Sequence, residues 1–307
     1  MKTILHFGDV DRIHLSSPQK EEISQIVKKY DFHELIEEDL FELTNQEKID
    51  VYEDNIFIVL NFPKYDSEFK KYYLNEFSII LSKNSILTMT RYDTNHITML
   101  IDEYKQELVE RDADEEFKIS PYYILYKVID AMYDKSIRDL KKSAKDVNTM
   151  EEQLFMNHTP EKKLLENLTI KKRNVVFLKH AFIPHNEILE ELQKIIPKFY
   201  KEDLEVYFED IQYKYDKIRN TIDISFENVD SLGETYNTLM TIKTNSVINV
   251  LTIFSVITGV LTLISGIYGM NVILPGMEKQ HFFMIIMGIM VLVCGGLLRF
   301  FRRKRWI

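Results

Sequence analysis

From Thr244 to Met277 the chain carries no Asp, Glu, Lys or Arg. The apolar part of this stretch, Val247 to Tyr268, is 22 residues long. A helix rises about 1.5 Å per residue, so about 20 residues cross the hydrocarbon layer of a bilayer. A second apolar run, Phe282 to Phe301, is broken only by Arg299, close enough to its end for the side chain to reach the interface. Pro275-Gly276 punctuates the short connection. The pattern predicts a transmembrane helix over 247–268, an outer loop over 269–281, a second transmembrane helix over 282–301 and a basic tail over 302–307. Two buried helices of a soluble domain are the poorer reading, because uncharged runs of this length are uncommon there.

Charge sets the orientation. The chain has a formal charge of −9, but residues 244–307 hold six basic side chains against the single acid Glu278. That segment is therefore +5 and leaves −14 on residues 1–243. Lys243 precedes the first span, and Arg299, Arg302, Arg303, Lys304 and Arg305 close the second, whereas the connection offers only Lys279. Positive residues stay inside, which predicts both termini and the acidic body on the cytoplasmic side of a plasma or inner membrane. Trp306 suits the interfacial belt. So acidic a body does not match nucleic acid. The lone Cys294 excludes an intrachain disulfide and fits a reducing compartment. The N-terminus meets Asp9 before a secretory apolar region develops.

Glycine and histidine placement argues against an enzyme. Only Gly8 and Gly233 lie within the first 258 residues. Phosphate loops and dinucleotide fingerprints need clustered glycines so that backbone amides approach the phosphate. The eight histidines are scattered, and His33-Glu34 lacks the second histidine of a zincin helix.

The body reads as α+β. Residues 51–92 read as strands: Ile56–Leu60 is a buried run, and Phe77–Leu81 followed by Ile86–Thr90 reads as a hairpin. From His96 onward the pattern turns helical, with Pro121 placed to start a helix. The expected parts are a cytoplasmic α/β domain over 1–120, a helical part over 121–200 and a stalk helix over 201–246. Apolar residues recur at Leu204, Phe208, Ile211, Tyr215, Ile218, Ile222, Phe226, Val229, Leu232, Tyr236 and Leu239, at gaps of three or four. This seam runs without a stop signal into the first span and predicts one helix from about Leu204 to Tyr268. Its seam is expected to need partner helices from sister subunits. Within the span a polar stripe, Asn245, Asn249, Thr252, Ser255, Thr258, Thr262 and Ser265, fits either close helix packing or a wetted pore face.

The first span closes on Gly266-Ile267-Tyr268-Gly269-Met270-Asn271, and the second ends in a basic cluster followed by Trp306-Ile307. In this context the chain resembles the CorA family of magnesium channels over nearly its whole length. The resemblance implies a homopentameric funnel whose first spans line a pore. The family's pore positions fall on Asn245, Leu251, Thr262, Gly266 and Asn271, with Gly269 in the motif. Asn271 would form the outer ring, Leu251 the hydrophobic constriction and Asn245 the cytosolic mouth. Ile248 and Gly259 stand where family members often carry methionine. The outer loop, Val272-Ile273-Leu274-Pro275-Gly276-Met277-Glu278, departs from the family's usual Met-Pro-Glu and offers Glu278 as its acid.

Cytosolic magnesium sensors between subunits are implied as well. Leu35–Leu40 matches one sensor stretch and places Glu38 and Asp39 at its acids. Val206–Asp210 matches the facing stretch and places Asp210, and Val128–Asp130 a third, placing Asp130. Magnesium is the implied ion, with Co2+, Ni2+ or Zn2+ as other divalent cations. The implied function is influx driven by the membrane potential and closed by cytosolic magnesium. The rival within the superfamily is a proton-coupled zinc transporter of the ZntB type, which tends to carry Ile where Met270 stands. The rival outside it is a non-conducting, membrane-anchored coiled-coil scaffold.

Overall fold

The computed structural model describes residues 2–7, 9–42, 46–91, 120–156, 162–200, 205–270, 281–304 and 306. They divide into two compact units, the first formed by Met1–Phe155 and Lys163–Leu232 and the second by Met156–Lys162 and Gly233–Ile307.

The first unit is built on a six-stranded sheet. Its strands are β1 (Lys2–Phe7), β2 (Val10–Ser16), β3 (Lys48–Val51), β4 (Asn55–Asp66), β5 (Lys71–Ser82) and β6 (Ser85–Thr90), in the spatial order β1-β2-β6-β5-β4-β3. Every pairing is antiparallel except β2 with β6, which is parallel. The hairpin expected at 77–90 is β5–β6, with Phe77 opposite Thr90. Two short helices, α1 (Lys20–Lys29) and α2 (Glu34–Phe41), lie in sequence between β2 and β3. Glu22 accepts the Gln19 amide at 3.0 Å at the start of α1, and the His33 ring accepts the Leu35 amide at 3.3 Å at the start of α2. One sheet face packs Ile13, Leu15, Phe57, Val59, Ile80 and Leu87 against Ile23, Ile26, Val27, Ile36 and Leu40 of these helices.

The alternate residues of β4 and β5 point to the other face. There Phe62 meets Phe77, Tyr133 and His185 at ring-centroid distances of 6.4, 5.9 and 5.1 Å. Tyr133 belongs to α3 (Pro121–Met156) and His185 to α5 (His185–Phe199); α4 (Lys162–Phe182) lies between them in sequence. Pro121 opens α3 as expected, and the Ser120 hydroxyl caps it by accepting the Tyr123 amide at 3.2 Å. His185 is fully buried; its Nε2 donates to the Asn61 carbonyl and its Nδ1 accepts from the Tyr133 hydroxyl, both at 3.0 Å. Burial pushes its pKa down to about 4 against a smaller opposing effect of the Asn61 hydrogen bond.

The long helix is continuous: α6 spans Glu205–Tyr268, 64 residues, or about 95 Å at the helical rise. The seam expectation needs one correction. From Phe208 to Leu232 the seam residues Phe208, Ile211, Tyr215, Ile218, Ile222, Val229 and Leu232 are buried in the single chain. Their cover is the chain's own helices. Tyr122 of α3 packs on Phe208 with ring centroids 5.3 Å apart, and Lys179 and Lys172 of α4 pair with Asp223 and Asp230. This part of the seam finds partners within the first unit because α3 and α4 are themselves 36 and 21 residues long. Part of the helical stretch expected from His96, residues 92–119, lies outside the described residues.

The second unit holds the remainder of α6 and α7 (Phe282–Arg303). Val206–Tyr268 and Phe283–Arg303 are both long and apolar enough to cross a membrane.

Candidate functional site

The pore candidates sit on the last six turns of α6. At about 100° per residue, Leu251, Thr252, Ser255, Thr258, Gly259, Thr262, Ser265, Gly266 and Gly269 share an arc of about 140°, with Asn245 at its edge. The opposite side carries Val250, Ile253, Phe254, Ile257, Val260, Leu261 and Ile264. The span therefore has one side that gathers the hydroxyls and glycines, together with Val247, Ile248 and Leu251, and an opposite side that is apolar. Gly259 and Gly266 leave open space: an added Cβ at either would meet nothing within 4 Å. Gly269 is different. Its amide donates to the Ser265 carbonyl at 2.8 Å, and a Cβ there would come within 3.1 Å of that same oxygen. The helix end at Gly269 thus leaves little room for a side chain. Asn271 and Glu278 lie outside the described residues.

Hydroxyl direction matters on this side. Thr252 donates to the Ile248 carbonyl and Thr258 to the Phe254 carbonyl, both at 2.8 Å, and Ser265 donates to the Thr262 carbonyl at 3.1 Å. Each hydroxyl has one hydrogen and two acceptor lone pairs. With the hydrogen bound to the helix itself, the oxygens are left as acceptors.

The sensor candidates fall into two clusters. Glu38 is exposed on α2. Asp39, half-buried on the same helix, pairs with Lys48 of β3 at 2.7 Å, and Lys48 also reaches Asp50 at 3.0 Å. Burial works against the Lys48 charge, yet hydrogen bonds to Asp39 and Asp50 outweigh it and raise the lysine's pKa.

The second cluster joins α3 to α6. Asp130 is buried and forms an ion pair with Lys214, which also reaches Asp134 at 3.1 Å. Asp210 accepts the Tyr126 hydroxyl at 2.8 Å. Burial raises the Asp130 pKa, a trend that Lys214 opposes and that Asp134 and Asp210 reinforce. Two of the four expected sensor residues, Asp130 and Asp210, thus share one patch of the chain, around Tyr126 and Lys214. Lys214, Tyr126 and Asp134 were not singled out from the sequence. The signal was present as a matched pair of helical spacings: Asp130 and Asp134 are four apart on one helix, and Asp210 and Lys214 are four apart on another. Among the described residues, no group of three or more His, Cys, Asp or Glu side chains is placed to hold a metal ion.

Known proteins resemble this chain along its length. The cobalt/magnesium transport protein CorA of Thermotoga maritima is 26% identical over 315 residues, covering 100% of this chain and 87% of that protein. The complete structure of the CorA magnesium transporter from Methanocaldococcus jannaschii superposes with a TM-score of 0.83 at 21% identity, over 97% of this chain and 92% of that one. The ZntB cytoplasmic domain from Vibrio parahaemolyticus shares the fold more loosely, with a TM-score of 0.52 at 13% identity, over 75% of this chain and 87% of that one. Residues 10–303 match the family described as CorA-like Mg2+ transporter protein, and the chain with its sheet-based body, continuous helix and two apolar spans belongs to that family.

Proposed function

We propose that the chain forms a homopentameric channel through which magnesium enters the cytoplasm, and that magnesium bound between cytosolic bodies closes it. The observation that carries this reading is the hydroxyl-bearing side of α6, where three of the hydroxyls, Thr252, Thr258 and Ser265, have turned their hydrogens inward. Magnesium sheds its water reluctantly and usually keeps several molecules of it. The hydrogens of such water point outward from the ion and need acceptors. Five copies of this helix side, arranged about an axis, supply neutral oxygens that guide a hydrated divalent cation without the full charges that would hold it. Asn271 is assigned the outer ring, where its carboxamide oxygen accepts from the same shell. Leu251 narrows the passage by hydrophobic closure, Asn245 forms its cytosolic mouth, and Glu278 draws cations to the outer loop. A divalent ion gains about 4.6 kcal/mol per 100 mV of inside-negative potential, more than three decades of concentration, so no nucleotide hydrolysis is needed.

Closure is assigned to Asp39 of one subunit and Asp210 of its neighbour. Among the described residues each carboxylate has one partner, Lys48 and Tyr126 respectively, and lone pairs remaining for an ion. Five strongly acidic bodies repel one another, and a divalent ion between them offsets that repulsion. Asp130 already holds Lys214, so an ion that reaches it must displace the lysine.

The deciding experiment is ion uptake into proteoliposomes by the wild type and by Asn271→Ala. Magnesium uptake that tracks the imposed potential, ignores a pH gradient and collapses in Asn271→Ala is expected. Zinc uptake driven by the pH gradient would favour the ZntB type, and absence of flux would leave the scaffold reading.

A further inference from the structure

We propose that the first unit contains a binding site for a phosphoryl chain, as carried by a nucleoside di- or triphosphate, in the cleft between the β4–β5 hairpin, α3 and α4. The cleft has a volume of about 890 Å³, within the range of small-molecule sites. Lys64, Lys70, Lys135, Arg138, Lys142 and Lys171 all line it. The lining contains only two acids, Asp139 and Asp146, and Asp146 is already paired with Lys171 at 2.9 Å. This concentration of positive charge stands in a body whose formal charge over residues 1–243 is −14.

The cations are placed by the fold. Lys135, Arg138 and Lys142 follow one another at gaps of three and four on α3 and so share one helix face. Lys70 sits in the left-handed region, with φ of 50°, at the turn of the hairpin. Its carbonyl accepts from the Arg173 guanidinium at 2.8 Å and from the Asn174 amide at 3.0 Å, which fastens the hairpin tip to α4. Among the described residues Lys135, Arg138 and Lys142 form no ion pair with a carboxylate. Burial lowers the Lys135 pKa; Asp139 opposes the shift, and Lys64 and Arg138 add to it. An anion in the cleft would reverse that penalty.

The ligand class follows from the donors. An arginine fork and several ammonium groups converging on one cleft match the many acceptor oxygens and multiple charges of linked phosphates better than a single carboxylate. At the hairpin side Tyr65 is half-exposed and packs on Tyr72, with ring centroids 5.0 Å apart, offering an aromatic face on which a base can stack.

The test is calorimetric titration of the full-length protein in detergent, in metal-free buffer at physiological salt, with ADP, pyrophosphate and adenosine. Neither metal nor flux enters the readout, so the result stands apart from the transport reading. Saturable binding of ADP, weakened roughly tenfold or more in Arg138→Ala/Lys142→Ala and unchanged in Lys145→Ala, is expected. Lys145 lies on the same helix outside the cleft lining, and Arg138 and Lys142 are exposed, so the variants retain the fold. Pyrophosphate binding as tightly as ADP keeps the phosphoryl site and removes the role of Tyr65. Binding of adenosine alone, no saturable heat with either phosphate, or equal weakening in Lys145→Ala overturns the proposal.

Discussion

Leu60 in the sheet and Leu251 in the first span are the same residue put to opposite uses. Leu60 is 0% exposed and Leu251 is 64% exposed in the same chain. In the first unit the apolar residues of the sheet core find cover within the subunit, as does most of the α6 seam down to Leu232. In the second unit Phe254, Leu263, Val291 and Leu292 remain open to the surroundings, as do Gly259 and Gly266 on the hydroxylated side. Hydrophobicity of equal strength thus completes one unit and leaves the described apolar faces of the other uncovered within the single chain.

The sharpest way to break this contrast is at Gly266. An added Cβ meets nothing within 4 Å, so Gly266→Phe should fold within its own subunit. If the hydroxylated side lines a passage, the ring should block it, and uptake should fall more than about tenfold while subunit assembly by native mass measurement is retained. Unchanged uptake would turn that side toward lipid. A smaller contrast pairs the two leucines. Leu60→Ala should destabilise the first unit by about 2–5 kcal/mol in denaturant titration. Leu251→Ala should leave that titration unchanged and instead raise leak through the closed state.

The third prediction uses His185. It is neutral when folded, with a pKa of about 4 against 6.5 in an unfolded chain, so the unfolded state binds the extra proton between these values. Its contribution to stability is therefore complete above pH 6.5 and is lost as pH falls toward 4, by about 3 kcal/mol. His185→Gln should flatten that part of the pH–stability profile, read by pulse proteolysis of the full chain. The smallest effect on stability belongs to Asp39→Asn. The half-exposed pair with Lys48 should cost less than about 1 kcal/mol. Its effect should fall on the magnesium concentration that closes the channel, measured by patch recording.

The membrane hairpin, the long helix and the β5–β6 hairpin were legible in the sequence because each rests on a local pattern: absence of charge, a steady gap of three or four, alternation about a tight turn. Strands β1 and β2 were not. The β2 segment Val10–Ser16 mixes Asp11, Arg12 and His14 into its run, and the fold buries Arg12 and His14 nonetheless. No local pattern signals a strand whose polar groups are satisfied by neighbours far away, such as His14 bonded to Thr88 at 2.9 Å. The same limit hid Lys214, whose meeting with Asp130 joins residues 84 positions apart. The seam is legible but its partners from Phe208 to Leu232 are not, since periodicity tells that a face must be covered and not by which helix.

The inward-turned hydroxyls of Thr252, Thr258 and Ser265 carry a consequence for the sign of the ion. Chloride must be met by hydrogens, and these three oxygens have none left to offer. In the proposed channel these three positions would favour cations over anions through the polarity of their bonds, and a doubly charged ion would pass them without meeting a fixed charge strong enough to stop it.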